Sequence, residues 1–93
     1  MEAVPPPRKS KPRTPELGAL GEAIRRLRNE AGISQELLAE RAATDLTQIG
    51  GIERGTRNPT YFTLVRVAEA LKTRVGEIAT LADDLVDQEL PGP

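Results

Sequence analysis

The chain lacks cysteine and histidine, and only 2% of its 93 residues are aromatic. Structural zinc, iron–sulfur clusters, disulfides, thiol nucleophiles and Ser-His-Asp triads are excluded because each of them needs one of those two residue types. No apolar run approaches the ~18 residues that span a bilayer, and charged residues stand where a signal peptide needs an apolar stretch. The sequence therefore favours a cytoplasmic protein with no metal, no cofactor and no membrane partner.

Basic and acidic side chains are separated along the chain, although the formal net charge is only −1. This total argues against an indiscriminate polybasic binder. Residues 1–14 hold four basic side chains, one acidic side chain and four prolines, whereas residues 77–93 hold five acidic side chains and no basic one. Residues 1–14 cannot bury enough apolar surface to fold, so we expect a disordered basic arm, and residues 89–93 should be a frayed tail. The arm is either a solvated tail without a role or a contact to DNA phosphates or the minor groove.

Apolar residues between positions 15 and 88 recur at three- and four-residue intervals, which predicts amphipathic helices and no strand. The hydrophobic residues, 38% of the chain, must form a core of Leu, Ile, Val and Ala. Capping and terminating residues divide this region into five helices. The first ends before Gly32, the second spans 35–42 after Ser34, the third spans 46–54 between Asp45 and Gly55, the fourth follows Thr60, and the fifth spans about 75–87. The predicted fold is all-α, a compact five-helix bundle.

A specific order of short motifs carries a resemblance to a known family. The motifs are Leu20-Gly21, Ile24-Arg25-Arg26-Leu27-Arg28, Gly32-Ile33-Ser34-Gln35, Leu38-Ala39-Glu40, Ile52-Glu53-Arg54-Gly55, Arg57-Asn58-Pro59 and Ala68-Glu69-Ala70-Leu71. Residues 18–80 resemble the helix-turn-helix domain of the phage-repressor (Cro, or XRE-type) family of transcriptional regulators. The resemblance implies a lambda-repressor-like DNA-binding domain whose third helix enters the major groove of an operator.

The resemblance also assigns roles to individual residues. Those expected to read bases are Leu46, Thr47, Gln48, Gly50 and Gly51. Those expected to contact DNA phosphates are Gln35, Arg54, Arg57 and Asn58. Arg28 and Glu53 occupy the positions that form a partly buried ion pair in this family; unrelated surface charges are the other interpretation.

The sequence departs from the family pattern around the third helix. Ala43 stands where the family usually has glycine, Thr44 where it has an apolar residue, and Asp45 where Ser or Thr is commoner. Gly50 and Gly51 either allow close approach to the major groove or are tolerated on an exposed face. Gln48 has a second possible role as the capping-box partner of Asp45.

A monomer bound to one half-site of an operator makes too few contacts to distinguish its DNA sequence from others. We therefore expect a homodimer on palindromic double-stranded DNA, with half-sites about 34 Å apart. The apolar stripe of the fifth helix is the predicted dimer interface, comprising Val75, Ile78, Leu81 and Leu85. A small autoregulatory repressor or a restriction–modification controller fits best, and RNA polymerase or a cognate toxin is a further possible partner. The alternatives are an antitoxin and a helical protein-binding adapter. An enzyme is the least favoured class, because the carboxylates lie on separate faces.

Overall fold

The computed structural model describes residues 11–89, which form five α-helices and no strand. The helices are α1 (Pro15–Glu30), α2 (Gln35–Arg41), α3 (Leu46–Arg54), α4 (Tyr61–Ala70) and α5 (Val75–Glu89). The predicted all-α fold is confirmed. Residues 1–10 and 90–93, which include most of the predicted arm and tail, lie outside the described residues. No helix between residues 11 and 89 is long and apolar enough to cross a bilayer.

Polar residues just before four of the helices determine where those helices begin. Each side chain accepts a hydrogen bond from the backbone N–H three residues later, which satisfies one of the free amides of the first turn. The caps and their distances are Thr14 (3.0 Å), Ser34 (3.0 Å), Asp45 (2.7 Å) and Thr60 (3.1 Å). The last three were predicted from the sequence. Gly32 and Gly55 have φ of +70° and +77°, as expected for glycines that end helices.

The core is built from aliphatic side chains. Helix α1 packs against both α3 and α5. The largest fully buried side chains of the core are Ile24, Leu38, Ile49, Ile52, Ile78 and Val67. Ile78 and Leu85 were expected at a dimer interface, and that prediction is wrong for both, because they are 0% and 4% exposed within one chain. They face α1, so only the flanks of α5 remain for a partner.

The turn between α2 and α3 contains a non-glycine residue in the left-handed region. Ala43 has φ of +54°, a conformation that crowds the Cβ of an L-residue. The guanidinium of Arg66 on α4 donates a 3.0 Å hydrogen bond to the Ala43 carbonyl and so holds the turn in place.

Ala43→Gly is expected to raise the free energy of unfolding by about 0.5–1 kcal/mol, because glycine adopts this φ without strain and the gain exceeds its extra unfolded-state entropy. Chemical denaturation measures the change. Ala79→Gly, at an exposed position inside α5, should instead destabilise by about 1 kcal/mol. Equal destabilisation by both substitutions would contradict the proposed strain at Ala43.

Candidate nucleic-acid interface

Helix α3 presents its first turn to solvent. Leu46 is 46% exposed, Thr47 is exposed and Gln48 is partly exposed, whereas Ile49 and Ile52 are buried beneath them. The Asp45 carboxylate accepts from the Gln48 N–H, so its charge lies against the positive end of the helix. This first turn therefore offers one apolar contact, one hydroxyl and one amide side by side.

The side chain of Gln48 is held by Arg57. Nη1 of Arg57 donates a 2.9 Å hydrogen bond to Oε1 of Gln48. The contact engages the amide oxygen, so the Gln48 Nε2 group is the end of the amide that remains as a donor for another partner. Asp45 and Gln48 form only half of a capping box. The Asp45 carboxylate accepts from the Gln48 N–H, but the Oε1 of Gln48 accepts from Arg57, and among the described residues the Gln48 side chain makes no hydrogen bond to the Asp45 N–H.

Gly50 and Gly51 are covered by other side chains, contrary to the interpretation that they are tolerated on an exposed face. Both are buried. A Cβ at Gly50 would lie 2.9 Å from Nη1 of Arg54, and a Cβ at Gly51 would lie 2.6 Å from Cδ of Arg57. The two glycines make room for arginine side chains that cross α3, and the stem of Arg57 reaches Gln48 over Gly51. In this conformation the arginines, and not the glycines, form the outer surface.

The loop after α3 is hydrogen-bonded to the backbone of α3. The backbone N–H groups of Thr56 and Arg57 donate to the Gly51 carbonyl at 2.9 and 3.3 Å. Pro59 is buried, whereas Asn58 and Arg57 are exposed. Arg54 at the end of α3 and Arg57 and Asn58 of the loop thus lie around the C-terminal part of α3, and all three are predicted phosphate-contacting residues.

A buried ion pair fixes α3 against α1. Nε and Nη2 of Arg28 donate to the two carboxylate oxygens of Glu53 at 2.6 and 3.0 Å, and the two side chains are 13% and 3% exposed. Nη1 of Arg28 donates to the Ile33 carbonyl. Nε2 of Gln35, the first residue of α2, donates to Glu53 at 2.9 Å. The structure therefore brings Arg28, Glu53 and Gln35 into one cluster that joins α1, α2 and α3.

Two of the four residues predicted at the dimer interface line a surface groove between α4 and α5. Val75 and Leu81 lie in this α4–α5 groove, whose volume is about 880 Å³, together with Tyr61 and Val65. Tyr61 is 71% exposed, and its neighbour Phe62 is 65% exposed with Arg66 5.0 Å from its ring. Sequence reasoning missed both aromatics. The sequence did contain an indication that these two residues are unusual. They are the chain's single tyrosine and single phenylalanine, and they stand outside the apolar stripe of α4.

A second charge cluster lies on the exposed side of α1. Glu22 accepts from Arg25 at 2.6 Å and from Arg26 at 2.9 Å. The hydrogen bond from Arg25 is the main cause that lowers the pKa of Glu22 to about 2, so this carboxylate is charged at neutral pH. Within residues 11–89 there is no group of three or more acidic side chains arranged to hold a metal ion.

Comparisons with known proteins agree with this geometry. The profile of a family described as helix-turn-helix matches residues 24–78. Control protein C.SmaI from Serratia marcescens is 44% identical over 61 residues, which cover 66% of this chain and 73% of that protein. The crystal structure of the restriction-modification controller protein C.AhdI from Aeromonas hydrophila has a TM-score of 0.69 and 35% identity, covering 70% of this chain and 98% of the other. The clp gene regulator ClgR from Corynebacterium glutamicum has a TM-score of 0.77 and 26% identity, covering 80% and 79%.

Proposed function

The chain belongs to the Cro/XRE-type helix-turn-helix family of DNA-binding transcriptional regulators, and from this membership we propose that it binds a palindromic operator as a homodimer. The observation that carries the proposal is the first turn of α3. Its polar and apolar side chains are exposed, the rest of the helix is packed into the core, and a buried ion pair holds the helix at a fixed angle to α1.

Base reading is assigned to the exposed turn of α3. The hydroxyl of Thr47 can donate or accept at a base edge, and Leu46 can contact a thymine methyl group. Because Arg57 occupies Oε1 of Gln48, the Gln48 side chain offers its Nε2 donor to a base acceptor such as guanine O6 or N7 or thymine O4. Gly50 and Gly51 are reassigned from base contact to making room for Arg54 and Arg57.

Phosphate contacts are assigned to residues around this turn. Gln35 lies at the N-terminus of α2, where the helix dipole favours an anion, and Arg54, Arg57 and Asn58 surround the end of α3. These contacts make affinity strongly salt-dependent despite a sequence pI near 5.5, because the local positive charge acts within a Debye length of the phosphates. Arg57 serves both purposes, since it also orients Gln48.

The α4–α5 groove is the surface proposed for the second copy. Its apolar wall of Val65, Val75 and Leu81 is flanked by Tyr61, so burying it removes apolar surface from water. Charged residues of both signs, including Arg74 and Asp84, line the rim. A two-fold axis can therefore pair an arginine of one copy with a carboxylate of the other.

The kind of regulator that we propose is a controller protein that acts on transcription in the cytoplasm. Control protein C.SmaI and the restriction-modification controller C.AhdI are the basis for this assignment. The fold alone does not distinguish this kind from other regulators, since the clp gene regulator ClgR shares it. The genes that lie beside the operator therefore identify what this regulator controls.

Selection of bound sequences from random DNA duplexes tests the proposal. The wild-type chain is expected to enrich a palindrome whose half-sites are centred about 34 Å apart, one turn of DNA. Leu81→Asp places a charge in the α4–α5 groove and should leave at most a single half-site enriched. Ala79→Asp adds the same charge at an exposed position of α5 outside the groove lining and should enrich the wild-type palindrome. Enrichment of no motif by the folded wild-type chain would rule out sequence-specific binding, and an intact palindrome with Leu81→Asp would rule out this interface.

A further inference from the structure

The segment that precedes α1 is docked against the end of α3. The backbone N–H of Arg13 donates a 2.9 Å hydrogen bond to the carbonyl of Gly55. Pro12 fits over two glycines that lie against each other, because a Cβ at Gly18 would be 2.8 Å from its Cγ and a Cβ at Gly55 would be 2.9 Å from its Cβ. Residues 11–14, called the docked segment below, are therefore held beside the helix that we assign to the major groove.

Lys11 of the docked segment shares a groove of about 640 Å³ with Gln35 and Arg54, both assigned above to phosphate contact. The negative charges of the two carboxylates that line this groove are already balanced by arginine side chains. Glu22 is paired with Arg25 and Arg26, and Glu53 is paired with Arg28.

The docked segment adds unpaired positive charge to this site. Among residues 11–89, no carboxylate oxygen lies within 4.0 Å of the charged groups of Lys11, Arg13 or Arg54. The net field in the groove is accordingly positive, and an anion placed there meets Lys11, Arg54 and the Gln35 amide.

The sequence just before the docked segment carries further positive charge, because Arg8 and Lys9 stand three and two positions before Lys11. The docked segment itself lies outside residues 24–78, which match the family profile.

We propose that the docked segment forms a second phosphate-binding surface, through which Lys11 and Arg13 contact the backbone of the same duplex that α3 reads. The proposal rests on the proposed function. The ligand is the phosphate backbone of double-stranded DNA, so the contribution is independent of base sequence. Pro12 and the two glycines are positioning residues, since they hold the segment without touching DNA themselves.

Salt titrations of DNA binding by two variants, each with a matched control, test the proposal. Lys11→Gln removes one charge, and Lys72→Gln removes one at an exposed position after α4. Gly18→Ala keeps every charge but displaces Pro12, and Ala79→Ser adds one uncharged heavy atom at an exposed position of α5 outside the α4–α5 groove. Binding is measured on one operator and one unrelated duplex between about 0.05 and 0.2 M salt.

Lys11→Gln is expected to flatten the slope of log K against log salt by about 0.9 and to weaken binding to both duplexes by about threefold to tenfold. Gly18→Ala should flatten the slope at least as much with no fall in the melting temperature, because alanine favours the helix. Both controls should match wild type. Wild-type slopes for both Lys11→Gln and Gly18→Ala would overturn the proposal. If Gly18→Ala fails to fold, Lys11→Gln alone decides. Failure of wild type to bind any duplex would instead refute the proposed function.

Discussion

Replacing Gly21 with alanine is expected to lower the free energy of unfolding by about 3 kcal/mol, one of the largest effects of a single methyl group in this chain. Gly21 lies on the buried face of α1 where that helix touches the end of α3. A Cβ there would overlap the backbone carbonyl oxygens of Ile52 and Glu53. Backbone atoms inside a helix cannot rotate away as a side chain can, so α3 as a whole has to shift.

Urea denaturation of Gly21→Ala measures this cost, with Gly76→Ala as the matched control. Gly76 lies in α5 with no atom near the position of its missing Cβ, so alanine there should be neutral or stabilise by up to about 1 kcal/mol. Operator binding by any folded Gly21→Ala protein should also weaken, because the shift moves α3 itself. A Gly21→Ala protein as stable as wild type would contradict the close contact of α1 with α3.

Arg28→Met is expected to destabilise the protein by about 3–5 kcal/mol, because it leaves the carboxylate of Glu53 buried without its charged partner. Glu53 is a charged residue buried in the core, and its side chain is only 3% exposed. The remaining hydrogen bond from Gln35 is neutral and does not replace a bidentate guanidinium.

A double-mutant cycle separates the ion pair from general packing. Glu53→Met should also destabilise, whereas the double variant Arg28→Met/Glu53→Met should be far more stable than the sum of the two single effects predicts. Thermal or urea unfolding of the four proteins provides the values. Additive effects would show that the two side chains stabilise the fold independently, contrary to the geometry of the pair.

The positions of the helices follow from the sequence because their causes are local. Ser34, Asp45 and Thr60 cap a first turn within three residues, and glycine at positions 32 and 55 supplies the φ that ends a helix. These interactions depend on the neighbouring residues alone. A pattern read along one helix therefore predicts them well.

The interface of α5 could not be predicted in the same way. Its apolar stripe indicates which face is buried but not whether that face meets this chain or a second copy. Ile78 and Leu85 are buried because α1 runs beside α5, and this packing joins two helices that are separated in the sequence by the whole of α2, α3 and α4. Tyr61 of α4 lines the remaining groove together with Val75 and Leu81 of α5, a contact that the apolar pattern of either helix alone does not encode.

The two glycines of α3 show a similar limit at the candidate site. Their low helix propensity indicates a special role, but the side chains that need the space belong to Arg54 and Arg57, which reach back across the helix. Neither the direction of those side chains nor the hydrogen bond from Arg57 to Gln48 is encoded in spacing. The sequence alone therefore did not show that Gly50 and Gly51 lie beneath Arg54 and Arg57.

The central claim is that the exposed turn of α3 reads base pairs, and the base preferences of Thr47→Ala test it most directly. Thr47 is exposed at the start of α3 and lies outside the buried core, so the variant should fold with wild-type stability. Quantitative binding to every single-base variant of the selected operator should show that Thr47→Ala loses discrimination at one symmetric pair of positions and keeps it elsewhere. An unchanged preference at every position would contradict the account.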